Sequence, residues 1–585
     1  MNADTPARPP ANHPRPTFAR AAWHSLDGPW RFSSGRAQDT PADQAWDRTI
    51  QVPFPPESSA SGISESRCDH PRYRRTFTVD HAADERVLLH FEAVDHHARV
   101  WVDGRLVGEH TGGYTPFVFD ITDALADGPE HEVVVAATDL TRDVEQLRGK
   151  QDWHDEPHMI WYDRSSGIWR SVWLEVAPAV RMASAAWTTL DLAGHLHGLV
   201  RLAGWDETDD LVVEASFACQ GLELGTVRAE ATASPVEVYA RLGRAASADT
   251  PWLYWTPDAP VLIDVRLRLL RGDVVLDEVS GYTGLRTVDV RAGVVELNGV
   301  TVFSRLVLEQ AFWPDTLFTA PSLDALVAEA ALIKGMGFNG LRMHQVSADP
   351  RFLRACDEVG LMVWADVPAA YVHSPRSTAE VTATLTALIE RDRNHPSVVA
   401  WVPYNESWGV GEVATSASQQ AAVRGAYWLA KSLDPTRLAI GNDGWENVAG
   451  DLVGVHDYTH DPDLLGSRYG TPDAVRATLA GERPGGKVVL IDPLLAGAPV
   501  VVSEFGGVSL RRGSDSWGYG EVADAEALLE RVRALVAPVG SRSGLAGFCW
   551  TQLTDCRQEQ NGLAWPDRTP KVPIEDLRAA VTASG

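Results

Sequence analysis

The sequence predicts three folded units in series. These are a β jelly-roll sandwich over residues 20–178, an immunoglobulin-like β-sandwich over 179–288 and a (β/α)8 barrel over 289–585, behind a flexible leader over 1–19. Three observations carry this reading. The chain has 585 residues, room for about three domains when single domains hold roughly 100–250. Its first half repeats short runs with a period of two between Gly, Asp and Pro turns, the mark of half-buried strands. Its second half alternates strand patterns with helix patterns, which implies a parallel sheet.

Taken in order, "YRRTFTV", "RVLLHFEAV", "ARVWVDGRLVGEH", "EVVVAATD" and "IWRSVWLEVAP" form the first β series. From 179, "HGLVRLAGW", "LVVEASFAC" and "VLIDVRLRLL" continue in strands over a length suited to one immunoglobulin-like sandwich. From 289 the period changes. "SLDALVAEAALIKGMGF" starts a helix at Ser322, and "NGLRMHQ", "LMVWADVP", "VVAWVPYNE", "RLAIGND", "DLVGVHDY", "VVVSEFGG" and "LAGFCWTQL" follow as strands with helical patterns between them. With the opening "VFSRLVLEQ" they make eight strands, the number of a closed barrel.

Composition narrows the function. Net charge is −27, which argues against nucleic acid or an anionic membrane as partner. The five cysteines, at 68, 219, 356, 549 and 556, show no CxxC spacing, so neither a disulfide framework nor a metal site is expected. No run of 18 apolar residues and no signal-like segment occurs, which points to the cytoplasm. The 21 tryptophans are mostly core anchors, with a sugar-stacking site as the alternative for some.

In such a barrel, working residues sit at the carboxyl ends of the strands. There the sequence places Arg342 and His344, Asp366, Asn405 and Glu406, His456 and Tyr458, Glu504, and Trp550. Glu406 ends the fourth strand and Glu504 the seventh, on facing walls. Two opposed carboxyls are the equipment of a retaining glycosidase, one protonated and one ionised. Burial beside Trp408 is expected to raise Glu406, while Arg342 and Tyr458 keep Glu504 ionised. "GVGEVA" (409–414) matches a dinucleotide fingerprint in form, but "ESW" separates it from its strand and no ribose-binding acid follows.

The chain resembles glycoside hydrolase family 2, the family of β-galactosidase, β-glucuronidase and β-mannosidase. "SLDGPWRF" (25–32), "GGYTPFVFDIT" (112–122) and "SSGIWRSVWLE" (165–175) are similar to its sugar-binding domain. "GFNGLRMH" (337–344), "RDRNHPSVVAWVPYNES" (391–407), "VVSEFGG" (501–507) and "GFCWTQLTDCRQEQNGLAWPDRTPK" (547–571) are similar to its barrel. The resemblance implies Glu406 as acid/base, Glu504 as nucleophile, Asn405 on the sugar 2-hydroxyl, Arg342, His344, Asp366 and Tyr458 around the reacting sugar, and Trp550 as a stacking platform. Trp161 stands where long β-galactosidases place a carboxylate. The Asn-x-Lys pair that meets the uronate in β-glucuronidases is reduced to Asn561, with no lysine behind it. The loop at 150–166 is expected to reach over the barrel mouth and help choose the sugar.

The expected function is a retaining exo-β-glycosidase of β-galactosidase type, acting on a small glycoside without cofactor or metal. β-Glucosidase, α-L-arabinopyranosidase, β-galacturonidase and β-glucuronidase are the alternatives within the family, and a non-catalytic carbohydrate-binding protein is the alternative outside it. The oligomeric state is not legible in the sequence, although homo-oligomers, dimers or tetramers, are common in this family.

Overall fold

The computed structural model describes residues 5–35, 45–243, 251–481, 484, 487–488, 492, 495, 497–510, 517–540 and 544–583. The first unit is a sandwich of a four-stranded and a six-stranded sheet. Trp23–Ser25, Val172–Pro178, Glu85–Phe91 and Phe117–Asp120 make the first sheet, and Pro71–Thr78, Glu130–Thr138 and His97–Val102 lie central in the second. Alternate residues such as Val133, Val135 and Ala137 meet Leu89, Phe91 and Leu174 in a dry core. A second sandwich of three and four strands follows over 181–283, around Trp187, Phe217 and Val265.

The third unit is an eight-stranded parallel sheet. Its strands are β1 (Ser304–Glu309), β2 (Gly340–Met343), β3 (Met362–Asp366), β4 (Val398–Val402), β5 (Leu438–Ala439), β6 (Val453–His456), β7 (Val500–Gly506) and β8 (Gly547–Thr551). They pair in the order β5-β4-β3-β2-β1-β8-β7-β6, the wrapped order of a (β/α)8 barrel. Side chains alternate across each strand. One set (Leu306, Leu308, Met362, Trp364, Ala400, Val402, Cys549) fills the lumen with Trp255 and Val295. The other set (Val307, Leu341, Val363, Phe548, Trp550) packs outward against the helices. No helix among the described residues is long and apolar enough to cross a membrane.

The expected flexible leader is corrected for its described part. Arg8 donates to Asp264 at 2.8 Å, and Arg354 of the barrel donates to the carbonyls of Pro9 and Pro10. His13 and Phe18 are buried, and Ala19 pairs with Ser280. Prolines explain why a polar segment is held: their φ is already fixed, so ordering them loses little chain entropy.

Candidate active site

The inward register that fills the lumen also supplies the mouth. Two residues beyond Leu308 stands Gln310, two beyond Trp364 stands Asp366, and two beyond Cys549 stands Thr551. At this level Arg342 on β2 is fully buried and acts as a hub. Its guanidinium donates to both Asp366 oxygens (3.0 and 2.9 Å), to Asn405 Oδ1 (2.7 Å), Asp443 Oδ2 (2.5 Å) and Glu504 Oε1 (3.2 Å). One rigid fork thereby fixes β3, β4, β5 and β7 relative to β2. Asp366 also takes His344 Nδ1 at 2.9 Å. Burial pushes Asp366 up to about 6, against the pull of Arg342.

β4 ends in strained backbone. Glu406 and Ser407 both lie in the left-handed region, at φ 50° and 55°, each costing on the order of 1–3 kcal/mol. Three hydrogen bonds hold the kink. Glu406 N–H donates to the Asp443 carbonyl (2.9 Å), Ser407 N–H to Asn442 Oδ1 (3.0 Å) and the Ser407 hydroxyl to Glu446 (2.6 Å). The result turns the Glu406 carboxyl across the mouth toward Glu504.

Between the two glutamates lies His456, the last residue of β6. Its Nδ1 is 2.8 Å from Glu406 Oε1, and its Nε2 is 3.1 Å from Asp443 Oδ2 and 3.4 Å from Glu504 Oε1. The ring fits because residue 444 is glycine (φ 84°), since a Cβ there would meet it at 2.3 Å. Burial opposes the charge on this imidazole, but Glu504, Asp443 and Glu406 raise it to about 10. Glu504 Oε2 accepts from the Tyr458 hydroxyl at 2.5 Å, and Glu406 Oε2 from Trp408 Nε1 at 3.2 Å.

These contacts reverse the expected order of the two acids. Burial, with the Glu406 charge adding to it, pushes Glu504 up to about 7 against the pull of His456 and Arg342. Burial also acts on Glu406, but the His456 hydrogen bond and charge outweigh it and hold this carboxyl below its usual range. A charged histidine on Glu406 is the reason.

The carboxyls open into a small cavity lined by Ile160, Tyr371, Trp408 and Tyr519 and also by Lys150, Gln310, Gln345 and Glu559. Two groups of side chains are spaced to hold a cation. One is Glu406, His456 and Glu504; the other is Asp152, His154 and His158 in the loop above the mouth.

Residues 23–178 match the family model of the sugar-binding domain of glycosyl hydrolases family 2, and residues 319–461 match that family's TIM barrel domain. The chain belongs to glycoside hydrolase family 2. It is 28% identical over 342 residues to a β-galactosidase of Thermoanaerobacter pseudethanolicus, covering 57% of this chain and 44% of that protein. It is 25% identical over 343 residues to a putative β-glucuronidase of Formosa agariphila, covering 57% and 40%. The matched segments thus span less than half the length of these relatives. Among solved structures, a family 2 β-galacturonidase from Eisenbergiella tayi superposes with TM-score 0.75 at 20% identity, covering 97% of this chain and 98% of that one. A β-glucuronidase from Bifidobacterium dentium gives 0.78 at 20% identity, with the same coverage. At these identities the likeness is one of fold.

In this family 2 barrel, Asn405, Glu406, Glu504, His344 and Tyr458 face the cavity together. Four expected residues do not, and each is a correction. Arg342 and Asp366 lie beneath the cavity floor, tied to each other. Trp550 is 1% exposed and packs on Phe505 and Gly506. Its neighbour Cys549 points into the lumen, so the indole points to the helices and offers no face to a sugar. Trp161 donates its indole N–H to the Tyr371 hydroxyl (2.6 Å) and packs on Trp408, behind the roof.

The sequence reading left Gln310, Gln345, Lys150, Tyr371, Tyr519 and Glu559 out of the site. Gln310 continues the inward register of β1, so counting by twos finds it, whereas Gln345 is out of phase with Arg342 and His344 and follows β2 in left-handed backbone (φ 58°). Lys150 opens the loop at 150–166 that was expected over the mouth, although the residue itself was not singled out, and Tyr519 sits on a loop remote in sequence that carries no such signal.

Proposed function

We propose that the protein is a retaining exo-β-glycosidase, with Glu504 as nucleophile and Glu406 as acid and then base. One observation carries this: an oxygen of Glu406 and one of Glu504 lie within 4.8 Å of each other, with His456 between. Retaining enzymes hold their carboxyls at roughly 5–5.5 Å and inverting ones at about 6.5–9.5 Å, where an extra water must fit.

Glu504 attacks the anomeric carbon while Glu406 protonates the departing oxygen. Water then displaces Glu504, giving its proton to Glu406. The proton needed in the first step is already in the cluster, on His456 Nδ1 against Glu406. Tyr458 stays protonated, since burial and then Glu504 raise it well above its ordinary value, and it orients the nucleophile. Asn405, anchored on Arg342, is placed for the sugar 2-hydroxyl. The roofed cavity takes a chain end rather than the middle of a polymer, which supports exo action. The barrel over 289–585 carries the chemistry, while the unit over 20–178 lends its loop to the roof. The β-galactosidases among the relatives favour a galacto-configured sugar.

A panel of aryl β-glycosides followed by NMR tests this. The β-anomer is expected as first product, and the α-anomer first overturns the reading. The pH dependence of kcat/KM is a second check. Below about 7 Glu504 takes a proton and cannot attack, and above about 10 His456 loses the proton and charge that serve the pair. Activity should therefore rise through about pH 7 and fall near pH 10. An acid limb near 4.5 contradicts the raised Glu504 carboxyl.

A further inference from the structure

The loop at 150–166 carries a cluster that the mechanism leaves unused: Asp152, His154 and His158, in the spacing D-x-H-x3-H. Asp152 is 2% exposed, and its carboxylate first closes the loop. Oδ1 accepts from His154 N–H at 2.8 Å and Oδ2 from His158 N–H at 2.7 Å. Two amides suffice for that cap. Each oxygen keeps a further lone pair, and an imidazole nitrogen faces each one. His154 Nδ1 stands 2.9 Å from Oδ1, and His158 Nδ1 stands 2.6 Å from Oδ2. No lysine or arginine pairs with this carboxylate among the described residues; its ion-pair partners are the two histidines. The two rings meet edge to face, with centroids 4.1 Å apart.

The scaffold behind the cluster is fixed. Asp152 N–H donates to the Tyr162 carbonyl and Trp161 N–H to the His158 carbonyl, both at 2.9 Å. The Met159 carbonyl accepts from Gln558 Nε2 at 2.9 Å and from Trp517 Nε1 at 3.0 Å, both from the barrel. Trp153 packs on Trp161 and Tyr371, with ring centroids 4.9 and 4.6 Å away. The imidazoles are open on the other side, with half of the His154 side chain and a third of the His158 side chain exposed. The cluster thus joins a buried anion, two imidazole nitrogens and an approach from solvent.

We propose that Asp152, His154 and His158 bind one zinc ion, with water completing the shell. Two imidazoles and one carboxylate form the ligand set of an open tetrahedral zinc site, whereas magnesium and calcium take sites built of oxygens. Zinc holds such nitrogens and oxygens at about 2.0–2.2 Å, so its ligands stand roughly 3.4 Å from each other. The distances from Asp152 to the two imidazoles fall short of that by less than about 1 Å, which a partly exposed ring gains by turning about its side-chain bonds. When the ion enters, each neutral imidazole carries its proton on Nε2 and turns the Nδ1 lone pair to the metal. The divalent charge then replaces the two ring N–H donors at Asp152. The expected absence of a metal site rested on the spacing of cysteines, and this set contains none. The ion ties the loop to itself and holds Trp153 against Tyr371, which lines the cavity. The site is separate from Glu406, His456 and Glu504 and does not depend on what the barrel hydrolyses.

Calorimetric titration of zinc into the metal-stripped full-length protein, and into His154→Ala, His158→Ala and Glu504→Gln, tests this. The parent should bind one tight equivalent. Each histidine variant should weaken it by more than about 100-fold, beyond what the loss of a group merely supporting a ligand costs. Glu504→Gln should leave it in place. Saturating zinc should raise the melting temperature of the parent and of Glu504→Gln by several degrees, and of neither histidine variant. Without zinc the histidine variants should melt with the parent, since both side chains reach water. No tight zinc in the parent, or zinc kept by both histidine variants, overturns the proposal. So does zinc lost in Glu504→Gln, which places the ion on Glu406, His456 and Glu504. Should a histidine variant not fold, modification of the parent by diethyl pyrocarbonate, read by peptide mass spectrometry, decides in its place. Protection of His154 and His158 by zinc supports the site, and equal labelling with and without zinc sinks it.

Discussion

Glu504→Gln is expected to abolish hydrolysis of every glycoside the parent cleaves, with kcat down on the order of 10⁴–10⁶-fold, as for loss of a covalent nucleophile. The amide keeps the size of the carboxyl and, through its one oxygen, the contact to Arg342, so binding should survive. The same change should stabilise the fold above neutral pH. Burial raises Glu504 in the folded chain from 4.5 to about 7. A group so raised contributes stability that is present below about pH 4.5 and lost as pH rises through about 7. At pH 8 the parent therefore holds an ionised buried carboxylate, and the neutral amide removes that burden. The gain is about 3 kcal/mol, because each tenfold change in proton affinity is worth about 1.36 kcal/mol. Melting curves should show the variant several degrees above the parent at pH 8 and level with it at pH 4.5. An inactive variant that melts lower at pH 8 would mean that Glu504 is chiefly a structural partner of Arg342.

Periodicity made the barrel legible, because the change from alternating strands to strand–helix repeats is written in the apolar residues themselves. Strand ends then exposed Glu406 and Glu504 without any knowledge of their contacts. The same counting, carried one residue further, would have turned Trp550 outward, since Cys549 beside it fills the lumen. Chain contacts across the barrel were not legible. His456 was visible as a strand end, but its place between Glu406, Asp443 and Glu504 depends on how β5, β6 and β7 meet, and on Gly444 leaving room for the ring. That one placement reversed the expected acidity of the pair. The loop at 150–166 was expected over the barrel mouth, and Lys150 and Ile160 do line the cavity, but nothing local singled out Lys150 within it, because its place depends on Gly149, Tyr162 and Tyr371. The segment at 5–19 was misread because prolines signal both flexible leaders and pre-extended straps, and only its partners Asp264 and Arg354 decide between them.

Glu406→Ala separates the two halves of the proposed reaction. Glu406 donates a proton to the leaving oxygen and later takes one from water, so its loss should depend on what leaves and on what arrives. General acid–base catalysis is worth roughly 10²–10⁴-fold. A p-nitrophenyl glycoside should lose about that much. A dinitrophenyl glycoside, whose phenolate leaves without a proton, should keep a fast first step with Glu504 and then stall as a covalent glycosyl-enzyme. A stoichiometric burst of dinitrophenolate, with the glycosyl-enzyme seen by intact-protein mass spectrometry, is the expected result. Azide needs no base to attack, and the side chain removed at 406 leaves space for it. Adding it should restore turnover and release a β-glycosyl azide, the configuration that two inversions give. An α-glycosyl azide would place the nucleophile elsewhere. Equal losses on both aryl leaving groups, with no burst, would show that Glu406 does not donate the proton. The strained backbone at 406 and 407 would then need another purpose, since its hydrogen bonds to Asn442, Asp443 and Glu446 serve only to aim that carboxyl across the mouth.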